Sequence, residues 1–234
     1  MAEEGLAEFN RRLFAERVFE ARESRLRKAF ELLAEEPRGR LLDVAAGSGI
    51  AAQALQERSW QVSALDISEE LLEQIRARGI EDVRRHDLLA GPLPYEDDTF
   101  AAVFAGEIIE HLVDTGGFLG EVRRVLVPGG VLIITTPNLA SFENRLRLLL
   151  GLYPKWVDLE LGGEGHVRAY TAPELRRQLG RAGFVTERVR GNWVPVIPQR
   201  FFHDLVWPPI ARTGDWLPTL SQGLIVKARH GRTR

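Results

Sequence analysis

Three side chains able to do chemistry stand close together in GEIIEHLVD, residues 106–114. Glu107, Glu110 and His111 lie at offsets 0, 3 and 4, which places them on one face if the segment is helical. Two carboxylates and an imidazole on one face suit a divalent metal ion or a proton-transfer step. The same residues also make an ordinary polar face at a helix start, and spacing alone does not choose between these.

A second group lies in LLDVAAGSGIAAQAL, residues 41–55. A strand running into a glycine-rich turn and then a helix places backbone N–H groups beside a ligand. Gly47, Gly49 and Ala52 fit a loose G-x-G-x-x-A dinucleotide pattern, which is weak by itself. Asp43 adds more. It ends the first strand, where a dinucleotide fold usually carries an apolar residue, and a carboxylate there suits a cationic group. Asp66 ends the second strand nineteen residues past Gly47, at the acidic position that accepts ribose hydroxyls. Asp87 ends the third. Each acid alone reads as a helix cap or a solvated loop residue. Three at consecutive strand ends mark the edge where open α/β sheets bind ligands. A ligand with an amino group, a ribose and an adenine, but no phosphates, suits that edge.

The elements that position these residues alternate. Strands are expected at 40–46, 60–66, 80–87, 100–106 and 131–137, the last entered through a Pro-Gly-Gly turn at 128–130. Helices are expected around 50–58 and 69–78, with Ser68 as a cap and Gly79 as a stop. This order argues for a parallel sheet with helices on both faces. A helix over 171–182 and strands at 184–190 and 223–229 complete the chain. The N-terminal stretch, with Phe9, Leu13, Leu26, Phe30 and Leu33 at helical steps, forms a helical region over 1–38.

One domain is expected over residues 1–234, with a ligand-binding core at 40–137 and lid or acceptor insertions at 138–170 and 191–221. Long loops inside a compact domain are usually lids or binding elements. The 234 residues and 44% hydrophobic content suffice for one substantial core. The absence of cysteine excludes disulfides, thiolate metal sites and cysteine nucleophiles. A net charge of −2 argues against a globally basic nucleic-acid binder. MAEEGLAEFN is acidic where a secretory signal is basic and then apolar, so the expected setting is cytoplasmic.

With these residues in view, the sequence resembles class I S-adenosylmethionine-dependent methyltransferases. The resemblance is carried by LLDVAAGSG, ALDIS, HDLLAGPLPYEDDTFAAVFAGEIIEHL, EVRRVLVPGGVLIITTPN and HVRAYTAPELRRQLGRAGF. It spans roughly residues 40–190 in the family's order and spacing. It implies a Rossmann-like, seven-stranded, mostly parallel sheet whose last strand is antiparallel. It also implies a cofactor site in which Asp43, Ala45, Gly47 and Gly49 hold the methionine part and Asp66 and Ile67 meet the ribose. Asp87 and Leu88 would flank the adenine, with Gly106 near the sulfonium. One residue departs from the pattern: the family usually has glycine where Ala45 stands.

Glu-x-x-Glu-His after the fourth strand is similar to two metal-using branches, the ubiquinone-biosynthesis O-methyltransferases and the small-RNA 2′-O-methyltransferases. In the RNA branch a downstream histidine completes the site, and His166 stands in a comparable place. Glu107, Glu110, His111 and His166 would then hold Mg²⁺ or Mn²⁺. Many relatives carry the motif with no metal, and His111 or His166 would then act as general base.

The acceptor is expected to be a small molecule or a glycan, methylated at oxygen. A metal-dependent RNA methyltransferase, a nicotinamide-dependent oxidoreductase and a non-catalytic cofactor-binding protein stay open as alternatives. Residues 181–234 carry nine Lys/Arg against three Asp/Glu among tryptophans, which keeps peripheral membrane contact open. The N-terminal helix could close the cofactor site or form a homodimer contact.

Overall fold

The computed structural model describes residues 24–158, 165–195 and 208–231. Seven strands form one sheet: β1 (Arg40–Val44), β2 (Gln61–Asp66), β3 (Asp82–Arg85), β4 (Phe100–Gly106), β5 (Leu126–Pro137), β6 (Phe184–Gly191) and β7 (Gly223–His230). Their order is β3-β2-β1-β4-β5-β7-β6. Only β7 runs against its neighbours, pairing antiparallel with both β5 and β6. The described helices are α1 (Ser24–Ala34), α2 (Ile50–Gln56), α3 (Glu69–Ala77), α4 (Thr115–Val125), α5 (Phe142–Leu149), α6 (Ala172–Arg181) and α7 (Pro208–Trp216).

Strand residues alternate between two apolar layers because successive side chains point to opposite sides of a sheet. Leu41, Ala64, Ala102, Phe104 and Ile133 join α1, α2 and α3 on one side. Leu42, Leu65, Val103, Ala105 and Ile134 join α4 and α6 on the other. Burial on both faces is why these strands read as continuous apolar runs.

Local signals behave as their chemistry requires. Ser68 caps α3 by accepting from Leu71 N–H, and Asp114 caps α4 by accepting from Gly117 N–H at 2.8 Å. The Pro-Gly-Gly segment is not a turn before a strand. It lies within β5, as extra residues in the register between Phe100↔Leu126 and Ala102↔Val131, with Gly129 in the left-handed region. The expected helical residues Phe9 and Leu13, and Phe201, Phe202, His203 and Trp207 of the second insertion, lie outside the described residues.

The sheet reverses its winding between β1 and β4. At such a switch point, loops leaving the two strands diverge and open a crevice at their C-terminal ends. α1 closes one side of it. It is held by Lys28, whose buried ammonium donates to Gly191 O (2.6 Å) and Ala211 O (2.5 Å) and pairs with Asp215 (3.0 Å). No helix among the described residues is long and apolar enough to cross a membrane.

Candidate active site

The crevice is lined by the ends of β1, β2 and β4 and by the residues just after β3, with about 1250 Å³ of empty space continuous with solvent. Asp43, Ala45, Gly47, Asp66, Ile67, Asp87, Leu88 and Gly106 all line it. Gly49 does not line it; it stands behind the turn as the first residue before α2. Its φ of 78° is left-handed, and a Cβ there would lie 2.9 Å from Ile75 Cγ1, so glycine serves packing and not contact. Ala45 also adopts a left-handed φ, 55°, without being glycine.

The carboxylates differ in their surroundings. Asp66 is buried; its two oxygens accept from Gly47 N–H and Ser68 N–H, each at 2.9 Å. Burial raises its pKa, against those same N–H bonds. Asp43 is deeper, 1% exposed, and its Oδ2 has no hydrogen-bond partner. Burial, and then the charge of Asp66, push its carboxyl up to about 8. Asp87 is only half-buried and accepts from Leu89 N–H at 2.9 Å.

Arg25 of α1 reaches the same crevice. It is buried, pairs with Glu107 at 3.0 Å, and donates to Thr135 Oγ1 at 3.2 Å, while Thr135 Oγ1 donates to Glu107 at 2.8 Å. No other lysine or arginine lines the crevice among the described residues. The sequence alone does not single out Arg25 among the charges that surround the apolar steps of this helix. The signal it does carry is spacing: it stands four residues before Ala29 and eight before Leu33, inside the apolar stripe.

Residues 107–111 are not the helix expected from their spacing. Glu107 has a left-handed φ of 52°, and Ile109–His111 forms a single 3₁₀ turn. The three side chains therefore do not share one face. Glu107 turns to Arg25. Glu110 and His111 instead meet His166, and potential ligand atoms of these three lie within 4.8 Å of one another. Glu107 is outside that group.

What brings His166 in is backbone chemistry. Glu110 O accepts from Val167 N–H (2.9 Å) and Arg168 N–H (3.1 Å), and Arg168 donates to Leu112 O at 3.0 Å and to Val113 O. His111 Nδ1 lies 2.9 Å from Gly165 O, and His166 Nδ1 lies 3.0 Å from Trp156 O. A carbonyl only accepts, so both Nδ1 atoms carry hydrogen and Nε2 is the lone-pair nitrogen in each neutral ring. Glu110 is 1% exposed, and neither carboxylate oxygen has a hydrogen-bond partner. Burial, and then the charge of Glu107, raise its pKa well above the usual carboxylate range. His111 lines the large crevice, while His166 and Glu110 line a small adjoining pocket with Trp156 and Leu139.

A doubly wound sheet with a ligand crevice at its switch point, three strand-end acids and a glycine turn defines a nucleoside-binding α/β protein. Residues 14–189 match the methyltransferase-domain family, and the chain belongs to it, within the class I S-adenosylmethionine-dependent methyltransferases.

A probable S-adenosylmethionine-dependent methyltransferase of Mycolicibacterium smegmatis is 32% identical over 164 residues, covering 69% of this chain and 58% of that protein. The chain thus spans about six tenths of that relative's length. A demethylmenaquinone methyltransferase of Thermus thermophilus is 37% identical over 176 residues, covering 68% and 80%. A structure of a putative methyltransferase from Bacillus halodurans has a TM-score of 0.64 at 21% identity, covering 89% of this chain and 99% of that one. At that identity the likeness is one of fold.

Proposed function

We propose that this chain transfers a methyl group from S-adenosylmethionine to the oxygen of a small-molecule or glycan acceptor. The observation that carries the cofactor assignment is the charge pattern of the crevice: Asp43 and Asp66 at adjacent strand ends, with Arg25 opposite. Asp43 lines the crevice with one oxygen that has no hydrogen-bond partner, which suits an ammonium group, and Arg25, paired with Glu107, brings a guanidinium to the same crevice. Asp66 keeps lone pairs for ribose hydroxyls beyond its two backbone bonds. Asp87 and Leu88 border the place left for adenine. A pyrophosphate suits this acid-rich rim poorly, which argues against a nicotinamide cofactor.

The chain's own contribution to transfer is positioning and proton removal. His111, which lines the crevice beside Gly106, would accept the acceptor's proton at Nε2 as its oxygen takes the methyl group. His166 is the alternative base. The Thermus relative's name refers to a quinone precursor, and a quinone-like acceptor is accordingly the first small-molecule class to test.

A second proposal adds a metal. One orphaned carboxylate and two imidazoles whose Nδ1–H groups are held by carbonyls make a donor set of the kind seen at protein metal centres. With Glu107 committed to Arg25, the set is richer in nitrogen than the sequence suggested and fits Mn²⁺ better than Mg²⁺. Such an ion would lower the pKa of a coordinated acceptor hydroxyl.

The test of the cofactor assignment is thermal unfolding with S-adenosylhomocysteine and with NAD. Stabilisation by the first of about 2.7 kcal/mol at a hundredfold excess over its dissociation constant is expected, with none from NAD. The reverse result would make the chain an oxidoreductase. Binding without turnover over a panel of quinols, catechols and glycans would leave a cofactor-binding protein.

A further inference from the structure

α5 is attached to the protein the wrong way round for an ordinary surface helix. Its one buried residue is Asn144, which accepts from Lys155 N–H at 2.7 Å and donates to Lys155 O at 3.1 Å. Its outward side and the turn behind it show Leu146, Leu148, Leu149, Leu150, Leu152 and Tyr153, with Leu149 82% and Leu150 64% exposed. A soluble helix buries its apolar stripe and shows its polar one. Contiguous exposed apolar surface marks an interaction site.

Charge narrows the partner. Segment 142–155 carries Arg145, Arg147 and Lys155 against the one acid, Glu143, and Glu143 is already paired with Lys155 at 2.6 Å. Arg145 and Arg147 are fixed at the patch by Nε bonds to Ala140 O (2.8 Å) and Tyr153 O (2.7 Å). Two copies of the patch meeting about a two-fold axis would bring like charges together. Leucines flanked by arginines match the boundary between acyl chains and anionic headgroups. The patch also runs into the candidate site: Trp156, just beyond it, lines the Glu110–His166 pocket and holds His166 by its carbonyl.

We propose that α5 and the turn to Tyr153 dock on an anionic phospholipid bilayer, placing the acceptor pocket at the membrane surface for acceptors with apolar tails. The role given to the pocket rests on the methyltransferase proposal; the docking surface does not.

The test is co-sedimentation of the whole chain with vesicles of phosphatidylcholine alone, or with a minority of phosphatidylglycerol. Binding stronger by on the order of tenfold on the anionic vesicles, and weakened by salt, is expected. Leu149→Glu combined with Leu152→Glu should abolish it. Arg145→Gln combined with Arg147→Gln should remove only the preference for anionic lipid. Both variants should keep the wild-type thermal shift with S-adenosylhomocysteine, which shows that they fold. Absence of wild-type binding, or binding unchanged in the leucine variant, overturns the proposal. So does a dimer that dissociates in the leucine variant without any vesicle binding. Vesicle binding in a protein that S-adenosylhomocysteine does not stabilise would sink the methyltransferase proposal and leave the surface standing.

Discussion

The two halves of the candidate site are built by different means. On the proposed cofactor side, Asp43, Asp66 and Gly106 stand at or next to the ends of neighbouring strands, so sheet register alone sets their spacing. On the proposed acceptor side, His166 is 55 residues beyond His111 and its neighbour Glu110. It meets them because the carbonyl of Glu110 captures two N–H groups of the loop at 167–168, with His111 Nδ1 on Gly165 O and Arg168 on Leu112 O beside it. The first kind of site tolerates change in any one loop. The second depends on a few backbone bonds between irregular segments, and its chemistry can differ among relatives that share the first.

The largest effect that would sharpen this contrast is on metal binding. Calorimetric titration of Mn²⁺ into protein loaded with S-adenosylhomocysteine should show micromolar binding. Glu110→Gln should weaken it by on the order of a hundredfold or more, beyond the 10–100-fold typical of lost outer-shell partners. Glu107→Gln should weaken it far less, because Glu107 faces Arg25. No Mn²⁺ binding in the wild type would end the metal proposal and leave His111 as the candidate base. Equal losses from the two glutamate variants would restore the four-ligand set that the sequence suggested.

That asymmetry also explains what could be read from sequence. The strand-end acids were legible because three consecutive apolar runs each end in Asp, the first of them just before Gly-x-Gly. The antiparallel last strand came with the family resemblance. The motif at 107–111 was legible in residue type but not in shape. Offsets of 3 and 4 imply a helix only if Glu107 is helical, and its side chain, drawn to Arg25 and Thr135, holds the backbone in the left-handed region instead. Arg25 itself was masked by neighbouring charges. α5 was hidden for the opposite reason: its leucines suggest a buried stripe, and only the structure shows that Asn144 is the residue turned inward.

The next effect, on the cofactor side, is on pH dependence. An aspartate of ordinary unfolded pKa, about 3.9, whose folded carboxyl is raised to about 8 keeps in the native state a proton that the unfolded chain loses. Native protein then binds more protons than unfolded protein between those values, so stability falls as pH rises from roughly 4 to roughly 8. The contribution is on the order of a few kcal/mol across the window. Urea midpoints at roughly pH 5 and pH 8 should show the fall in the wild type and a flatter profile in Asp43→Asn. Saturation with S-adenosylhomocysteine should also flatten the wild-type profile, because an ammonium beside Asp43 favours the ionised form. Asp66 and Glu110, also raised by burial, should leave a residual slope in Asp43→Asn; a slope equal to that of the wild type would place the titrating group elsewhere.

The smallest effect separates the two left-handed, non-glycine residues that the site contains. Ala45 holds φ at 55° with no side-chain bond to justify it, at a cost of about 1–2 kcal/mol relative to glycine. Ala45→Gly should recover that strain, less about 0.5–1 kcal/mol for the greater freedom of glycine in the unfolded chain. The net gain is roughly 0.5–1 kcal/mol, a rise of about 1–4 °C in Tm for a domain of this size, measurable by thermal unfolding without ligand. Ala45 also packs against the apolar layer beneath it, and a lower Tm would mean that this contact outweighs the strain. The same exchange at Glu107 is not equivalent, although its φ of 52° is nearly the same. There the backbone is held by a side chain that neutralises buried Arg25, and glycine would leave that guanidinium without its carboxylate. At Ala45 the strained residue has only a methyl group and makes no polar side-chain bond; at Glu107 the side chain is part of the architecture.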